Sequence, residues 1–362
     1  MNTEPVFIIA EAGVNHNGSV GTALKLIDVA AEAGTDAVKF QTFCAAAIIS
    51  RSASKAPYQI ANTGNDEPQL EMVRRLELSI DDHRVLAAHA RKRNIEFLST
   101  PSDLGSVQAL TELLHLSRLK IGSGDVTNLP LLVAAARTGA RLILSTGMSS
   151  LGEVEGALEA LAFGLISTGE ARATRQAMAA AYLSERGQAL LRERVTLLHC
   201  TTEYPAPPQD ANLRAMHTMR AAFGLPVGYS DHTLGIQVAV AAVALGAVAL
   251  EKHFTLDRSM PGPDHVASLE PAELTEMVRA VRATERALGS GVKQPAASEL
   301  KNMPIARKSL TAACEIRAGE RFTEQNLTLK RPGSGIGAMH YFEYLDRVAT
   351  RDYAADDLID EP

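Results

Sequence analysis

Eight short, β-branched apolar runs alternate with helical segments over about the first 285 residues, and no other feature limits the fold of this chain as strongly. The runs span residues 6–12, 37–42, 96–100, 119–123, 141–146, 195–200, 226–230 and 248–253. Amphipathic or alanine-rich stretches such as 20–33 and 80–93 separate them. Consecutive strands joined through helices run parallel, because a parallel pair needs a crossover of a dozen or more residues. Eight such units describe a TIM (β/α)8 barrel in the α/β class. A doubly wound open sheet is the runner-up, but its first strand–helix turn should read GxGxxG, and here it reads AGVNHNGS.

A barrel of this kind carries its chemistry at the C-terminal ends of its strands, so polar residues should gather there. They do. Glu11 is followed by Asn15, His16 and Asn17; Lys39 pairs with Gln41, Ser99 with Thr100, and Lys120 with Ser123 and Asp125. Ser145 and Thr146, then Thr201, Thr202 and Tyr204, then Ser230 to His232, and finally Glu251 and His253 complete the ring. Lys39 and Gln41 share one strand face at period two, which makes that face the barrel interior. His232 and His253 end consecutive parallel strands, which lie about 5 Å apart. Imidazoles so placed can share one divalent metal at roughly 2.0–2.1 Å each. Ser230-Asp231-His232 has the composition of a hydrolase triad, but successive strand residues point to opposite faces and cannot converge. Lys252, between Glu251 and His253, points towards the helix layer for the same reason.

Lysines and hydroxyls at strand ends suit a phosphate ester. With imidazole and oxygen ligands and no thiolate, Mn²⁺, Mg²⁺, Co²⁺ and Zn²⁺ are all compatible. Together these groups favour a metal that polarises an aldehyde while a phosphorylated partner attacks it. Two rivals stand beside that reading. One is a class I aldolase using Lys120 or Lys39 as a Schiff-base lysine; the other is a non-catalytic sugar-binding protein. The formal net charge of −6 gives no electrostatic reason to expect nucleic acid. No apolar run reaches the ~18–20 residues of a membrane span, and no signal peptide is evident. Cys44, Cys200 and Cys314 are widely spaced, which fits a reducing cytoplasm.

Residues 1–288 are expected to form the barrel, 289–304 a Gly/Lys/Ser/Pro-rich linker, and 305–362 a small, loop-rich second domain. Two excursions interrupt the alternation. Residues 43–79 read as a long loop over the site, and 151–194 as about two helices with a solvated outer face.

The whole chain resembles the sialic acid synthase family. The matching segments are IIAEAGVNHNGS (8–19), VKFQT (38–42), FLSTP (97–101), KIGSGD (120–125), LSTGM (144–148), LLHCTTEYPAP (197–207), GYSDHTLGI (228–236), EKHFTLDRSMPGPDH (251–265) and KRPGSGIG (330–337). The resemblance implies condensation of phosphoenolpyruvate with an N-acylated mannose-type sugar, with Mn²⁺ the first choice of metal and Mg²⁺ or Co²⁺ as substitutes. It makes His232 and His253 the metal ligands and Glu11 and Asp125 the acid/base carboxylates. Lys39, Gln41, Thr100, Lys120, Ser123, Ser145 and Ser230 match positions that hold phosphoenolpyruvate. Tyr204, Asp264 and Arg331 match sugar contacts. The tail matches an antifreeze-like (SAF) domain, which in the family's domain-swapped homodimer lends its arginine to the partner's site. Thr202 departs from the asparagine of the sialic acid branch, and TTEYPAP with the 151–194 stretch lies closer to the legionaminate branch.

Overall fold

The structure, a computed structural model, describes residues 4–64, 67–167 and 171–361. Eight parallel strands run in chain order: β1 Phe7–Gly13, β2 Ala37–Thr42, β3 Glu96–Pro101, β4 Arg118–Ile121, β5 Arg141–Ser145, β6 Val195–Cys200, β7 Val227–Asp231 and β8 Ala249–His253. Each pairs with its neighbours in sequence, except that β3 packs beside β4 without a ladder. The first strand also pairs with the last, Glu11 opposite His253, which wraps the sheet into a barrel.

Period-two alternation sorts the strand side chains into two compartments. Ile8, Val38, Phe40, Leu119, Leu197, Tyr229 and Leu250 face outward into the main core beneath the helices. Ile9, Ala37, Leu98, Ile143, Leu198 and Ala249 face inward and fill the barrel floor. Two residues beyond Ile9, Ala37, Leu98, Ile143 and Ala249 the inward face carries Glu11, Lys39, Thr100, Ser145 and Glu251, and Lys120 and Ser230 join them from β4 and β7, all buried. The interior is thus apolar below and charged above.

The final helix of the barrel, Pro271–Leu288, shows how the shell is fastened. Leu274, Met277, Val278 and Val281 recur at helical spacing and are buried. Pro271 opens it at a position where its missing N–H costs nothing, and Gly289, with φ of 60°, ends it. Its Arg282 ties back to Asp36 at 2.7 Å and to the Val6 carbonyl at 2.8 Å, securing the β1 and β2 entrances.

The 151–194 stretch differs from expectation. Its described residues form three helices, Leu151–Ile166, Arg175–Leu183 and Glu185–Arg194. The first is buried around most of its circumference rather than solvated, because the other two cover its outer side and the helix Leu129–Arg137 its inner side. The described residues of 43–79 hold three short helices, Ala45–Ile48, Pro57–Thr63 and Gln69–Arg74. Among the described residues no helix is long and apolar enough to cross a membrane.

The chain divides into two compact units, Met1–Gly289 and Ser290–Pro362. In the second, β9 (Ser309–Ala312) and β10 (Leu327–Lys330) pair antiparallel over a small core of Leu310, Ile316, Phe322, Leu327, Tyr344 and Tyr353. This fits the antifreeze-like domain. The segment read as a linker carries two one-turn helices, Ala297–Leu300 and Met303–Ala306. Composition alone hides them; the second is held at its Pro304 carbonyl, which accepts from the Gly333 amide at 2.7 Å, and at its Ala306 carbonyl, which accepts from Arg331 Nε at 3.0 Å.

Gly228, on the inward face of β7, tests the barrel packing. A Cβ there would lie 2.3 Å from the Ala249 carbonyl oxygen and 2.7 Å from Leu198 Cδ2. Gly228→Ala is expected to cost about 1–3 kcal/mol, read as a lower urea midpoint by far-UV circular dichroism. Gly152→Ala, in a helix with nothing within 4 Å of the new methyl, should leave the midpoint unchanged or raise it. Equal midpoints for wild type and Gly228→Ala would mean that β7 and β8 do not approach as described.

Candidate active site

Four charged side chains occupy one inward rung of the barrel. Glu11, Lys39, Lys120 and Glu251 come from β1, β2, β4 and β8; Glu11, Lys39 and Glu251 stand two residues above Ile9, Ala37 and Ala249 of the apolar floor. Lys39 Nζ lies 2.8 Å from Glu11 Oε1 and 3.5 Å from Glu251 Oε2. Lys120 Nζ lies 3.1 Å from Glu251 Oε1. Ser230 Oγ donates to the same Glu251 oxygen at 2.9 Å, and Lys39 to Thr100 Oγ1 at 3.2 Å.

Burial and pairing divide the charges unequally. Burial raises the Glu11 carboxyl to about 7, against the lowering effect of Lys39. Burial works the same way on Glu251, but Lys120 and Lys39 together hold that carboxyl well below its ordinary range. Burial also pushes both amines down; the two carboxylates around Lys39 more than reverse this, whereas Lys120 stays lowered. Glu11 Oε2 and Glu251 Oε2 are buried without a hydrogen-bond partner.

Above this rung stand the two histidines. Asp231 is in register with Lys252, so His232 and His253 emerge side by side with ring centroids 5.4 Å apart. His232 Nδ1 lies 2.6 Å from the Thr201 carbonyl, which can only accept. The proton therefore sits on Nδ1 and the lone pair on Nε2. His253 Nδ1 is buried without a hydrogen-bond partner, and the Asp264 carboxylate is 3.9 Å away. Burial lowers His232 to about 4 and holds His253 well below its ordinary value, so both rings are neutral at pH 7. Neutral imidazoles with free lone pairs are the form that binds metal, so these residues fit a divalent cation. Among the described residues no group of three His, Cys, Asp or Glu is arranged to hold one. Such a cation would therefore keep open positions for other ligands.

Lys252 stands apart. Its Nζ pairs with Asp231 Oδ2 at 2.8 Å on the outer face, with both side chains fully buried. Asp231 also accepts from Thr233 at 2.8 Å. Serine and histidine on one face, aspartate on the other, is no hydrolase triad.

The remaining candidates fall into groups. Tyr204 lies against both imidazoles, its ring centroid 4.2 Å from His232 and 5.4 Å from His253. Asp264 is buried, and burial raises its carboxyl to about 6. Ser123 Oγ lies 3.1 Å from Cys200 Sγ and accepts from the Gly147 amide at 3.0 Å. A Cβ on Gly147 would collide with Thr202 Oγ1 at 2.3 Å and with Ser123 Oγ at 2.9 Å; glycine lets these hydroxyls converge. Ser145 Oγ and Thr202 Oγ1 are both buried without partners, free to receive an oxyanion. Gln41 is half-buried at the end of β2.

Asp125 is not drawn into the charged rung; it is half-buried and held by Asn128 at 2.9 Å. Arg331 belongs to the second unit, where it is exposed. The residue that sequence reasoning underweighted is Glu251. It shares its strand face with His253, and its charge ties the two lysines together, but the parity that placed Lys39 inside also places Glu251 there.

Residues 26–293 match the model of the NeuB family. The chain is 51% identical over 354 residues to N,N'-diacetyllegionaminic acid synthase of Campylobacter jejuni, covering 98% of each. It is 44% identical to the Legionella pneumophila protein of the same name, over 91% of this chain and 86% of that one. The crystal structure of N-acetylneuraminic acid synthetase from Leptospira borgpetersenii, in complex with citrate, matches with a TM-score of 0.66 at 34% identity. It covers 83% of this chain and 90% of that one. Fold, strand-end residues and full-length similarity agree, and the chain belongs to the NeuB family.

Proposed function

We propose that this chain is a nonulosonic acid synthase, a transferase that joins phosphoenolpyruvate to the open-chain form of an N-acylated mannose-type sugar. The sugar is 2,4-diacetamido-2,4,6-trideoxymannose, and the products are N,N'-diacetyllegionaminate and phosphate. The observation that carries the reading is the meeting, at one barrel mouth, of two lone-pair imidazoles, two buried lysines and unpartnered hydroxyls. The choice of sugar follows the 51% identity over the full chain; N-acetylmannosamine, giving N-acetylneuraminate, is the second reading.

Lys39 and Lys120 hold the anionic groups of phosphoenolpyruvate, with Gln41, Thr100, Ser123, Ser145 and Ser230 donating around them. Tyr204 and Asp264 orient the sugar. A divalent cation, Mn²⁺ before Mg²⁺ or Co²⁺, would be held by His232 and His253 and supplies Lewis acidity toward a carbonyl oxygen. The new bond joins C3 of phosphoenolpyruvate to the aldehyde carbon, and water adds at C2. Glu11, raised to about 7 and with Oε2 open, takes the proton from that water. Collapse at C2 breaks the C–O bond and phosphate leaves with the bridging oxygen. Asp125 is kept for a proton at the sugar oxygen.

The reading includes a homodimer in which Arg331 of one copy serves the site of the other. It also includes a cytoplasmic location, which suits three free cysteines, Cys44 and Cys314 among them exposed. A Schiff-base aldolase is disfavoured at Lys39, where paired carboxylates keep the amine charged although the reacting amine must be neutral; Lys120, lowered by burial, is tied to Glu251 at 3.1 Å.

Phosphate release from phosphoenolpyruvate should require the sugar, stop on chelation and return with Mn²⁺. His232→Ala and His253→Ala should each lower turnover by about a hundredfold or more; turnover near wild type in both would remove the imidazole pair from the reaction. Phosphoenolpyruvate carrying ¹⁸O at the bridging position should deliver that label to phosphate, and label in the sugar acid would contradict C–O cleavage. Borohydride reduction in the presence of substrate should leave the protein mass unchanged; an adduct on Lys120 or Lys39 would establish the aldolase instead.

A further inference from the structure

The helix Pro57–Thr63 belongs to no barrel unit, yet two of its side chains reach the substrate loops. Tyr58 sets its ring 5.1 Å from the ring of Tyr204, tilted by 35°. Tyr204 in turn lies on His232 and faces His253. The aromatic surface beside the imidazole pair is therefore continued outward by a residue from a different segment. The Asp264 carboxylate bears on both phenols, adding to burial in raising them. Tyr58 packs on Tyr204, and Asp264 is close enough for its charge to act on both phenols.

One turn along the same helix, Asn62 Nδ2 donates to the Pro263 carbonyl at 2.6 Å and to the Tyr204 carbonyl at 3.3 Å. One amide bridges the loop after β8, next to Asp264, and the loop after β6, at Tyr204 itself. Residues 58 and 62 are four apart, so both project from one helical face. That face looks onto the site.

We propose that the helix Pro57–Thr63 decides which sugar the enzyme accepts. Tyr58 forms the far wall of the sugar pocket, and Asn62 is a positioning residue that holds Tyr204 and Asp264 in register. The inference rests on the synthase reading above. The wall's chemistry names the substrate class. N-acetylmannosamine presents hydroxyls at C4 and C6, whereas 2,4-diacetamido-2,4,6-trideoxymannose presents an acetamido methyl and a C6 methyl. A pair of aromatic faces rewards methyl groups and leaves hydroxyls without partners. The pocket therefore prefers the deoxygenated, doubly acetamidated sugar.

The test measures phosphate release from full-length enzyme with each sugar in turn, at saturating Mn²⁺ and phosphoenolpyruvate. Tyr58→Ala is expected to lower kcat/KM for the diacetamido sugar on the order of tenfold. The same change should alter kcat/KM for N-acetylmannosamine by less than about threefold. Tyr58→Phe, which keeps the ring, should retain the wild-type preference. Asn62→Asp, isosteric but without the donor, should raise KM for the sugar on the order of tenfold. Its KM for phosphoenolpyruvate and its Tm should stay near wild type, which a merely structural role would not spare. Equal losses for both sugars in Tyr58→Ala, or a Tyr58→Phe variant as impaired as Tyr58→Ala, would overturn the wall. An unchanged sugar KM in Asn62→Asp would overturn the clamp. Wild-type enzyme inactive with both sugars would instead defeat the synthase reading itself, a separate failure.

Discussion

Two lysines and two glutamates share the inside of a barrel with almost no contact with water, and the upper half of the structure depends on their pairing. Taking a single charge out of water costs several kcal/mol even after relaxation. No isolated lysine could stand where Lys39 and Lys120 stand. Glu251 makes the arrangement tolerable, accepting from Lys120 and Ser230 while lying 3.5 Å from Lys39. Glu11 completes the set at 2.8 Å from Lys39. With both charges of each sign present, the rung is close to neutral. It is also incomplete, since Glu11 Oε2 has no hydrogen-bond partner and Glu251 Oε2 has only the long 3.5 Å contact with Lys39. A substrate bringing anionic groups and water has donors waiting and acceptors unfilled.

The loops above the rung are organised around the same mouth by side-chain hydrogen bonds and one close glycine approach. Asn15 Nδ2 reaches the Phe254 carbonyl at 2.8 Å and Ser268 Oγ at 2.9 Å, joining the loops after β1 and β8. His265, fully buried, bonds Thr255 at 2.7 Å and so shapes the loop carrying Asp264. Gly18, at φ of 74°, lets the Arg75 carbonyl approach to where a Cβ would be 2.4 Å away, which brings the 43–79 excursion down onto the β1 loop. Rigid strands set the charged rung; stitched loops set what lies above it. Specificity is therefore expected in the loops and chemistry in the strands.

Much of this was legible from residue order. Alternation of strands and helices is enough to name the barrel, because parallel strands need crossovers. Parity along a strand is enough to put Lys39 inside and Lys252 outside. The matched strand ends are enough to pair His232 with His253. Other features were hidden. The helix Leu151–Ile166 looks like a surface helix by composition, and only its covering by two later helices makes it core. The short helices at 297–306 look like linker, because no apolar side chain of theirs is buried and the second is held by hydrogen bonds from Arg331 and Gly333 of the KRPG turn. Asp125 follows its strand end closely, yet a 3₁₀ turn and Asn128 hold it aside from the rung.

By itself, then, the order of residues determined the architecture, the end of the barrel where chemistry gathers, and the residue types gathered there. These follow from periodicity, which is local and survives in one dimension. Only the tertiary structure decided which charges neutralise one another, which nitrogen of His232 keeps its lone pair, and that Tyr58 and Asn62 face the site from a distant excursion. Those outcomes turn on distances of three to five ångströms between residues far apart in the chain. Burial sets their energies, and burial belongs to the folded whole.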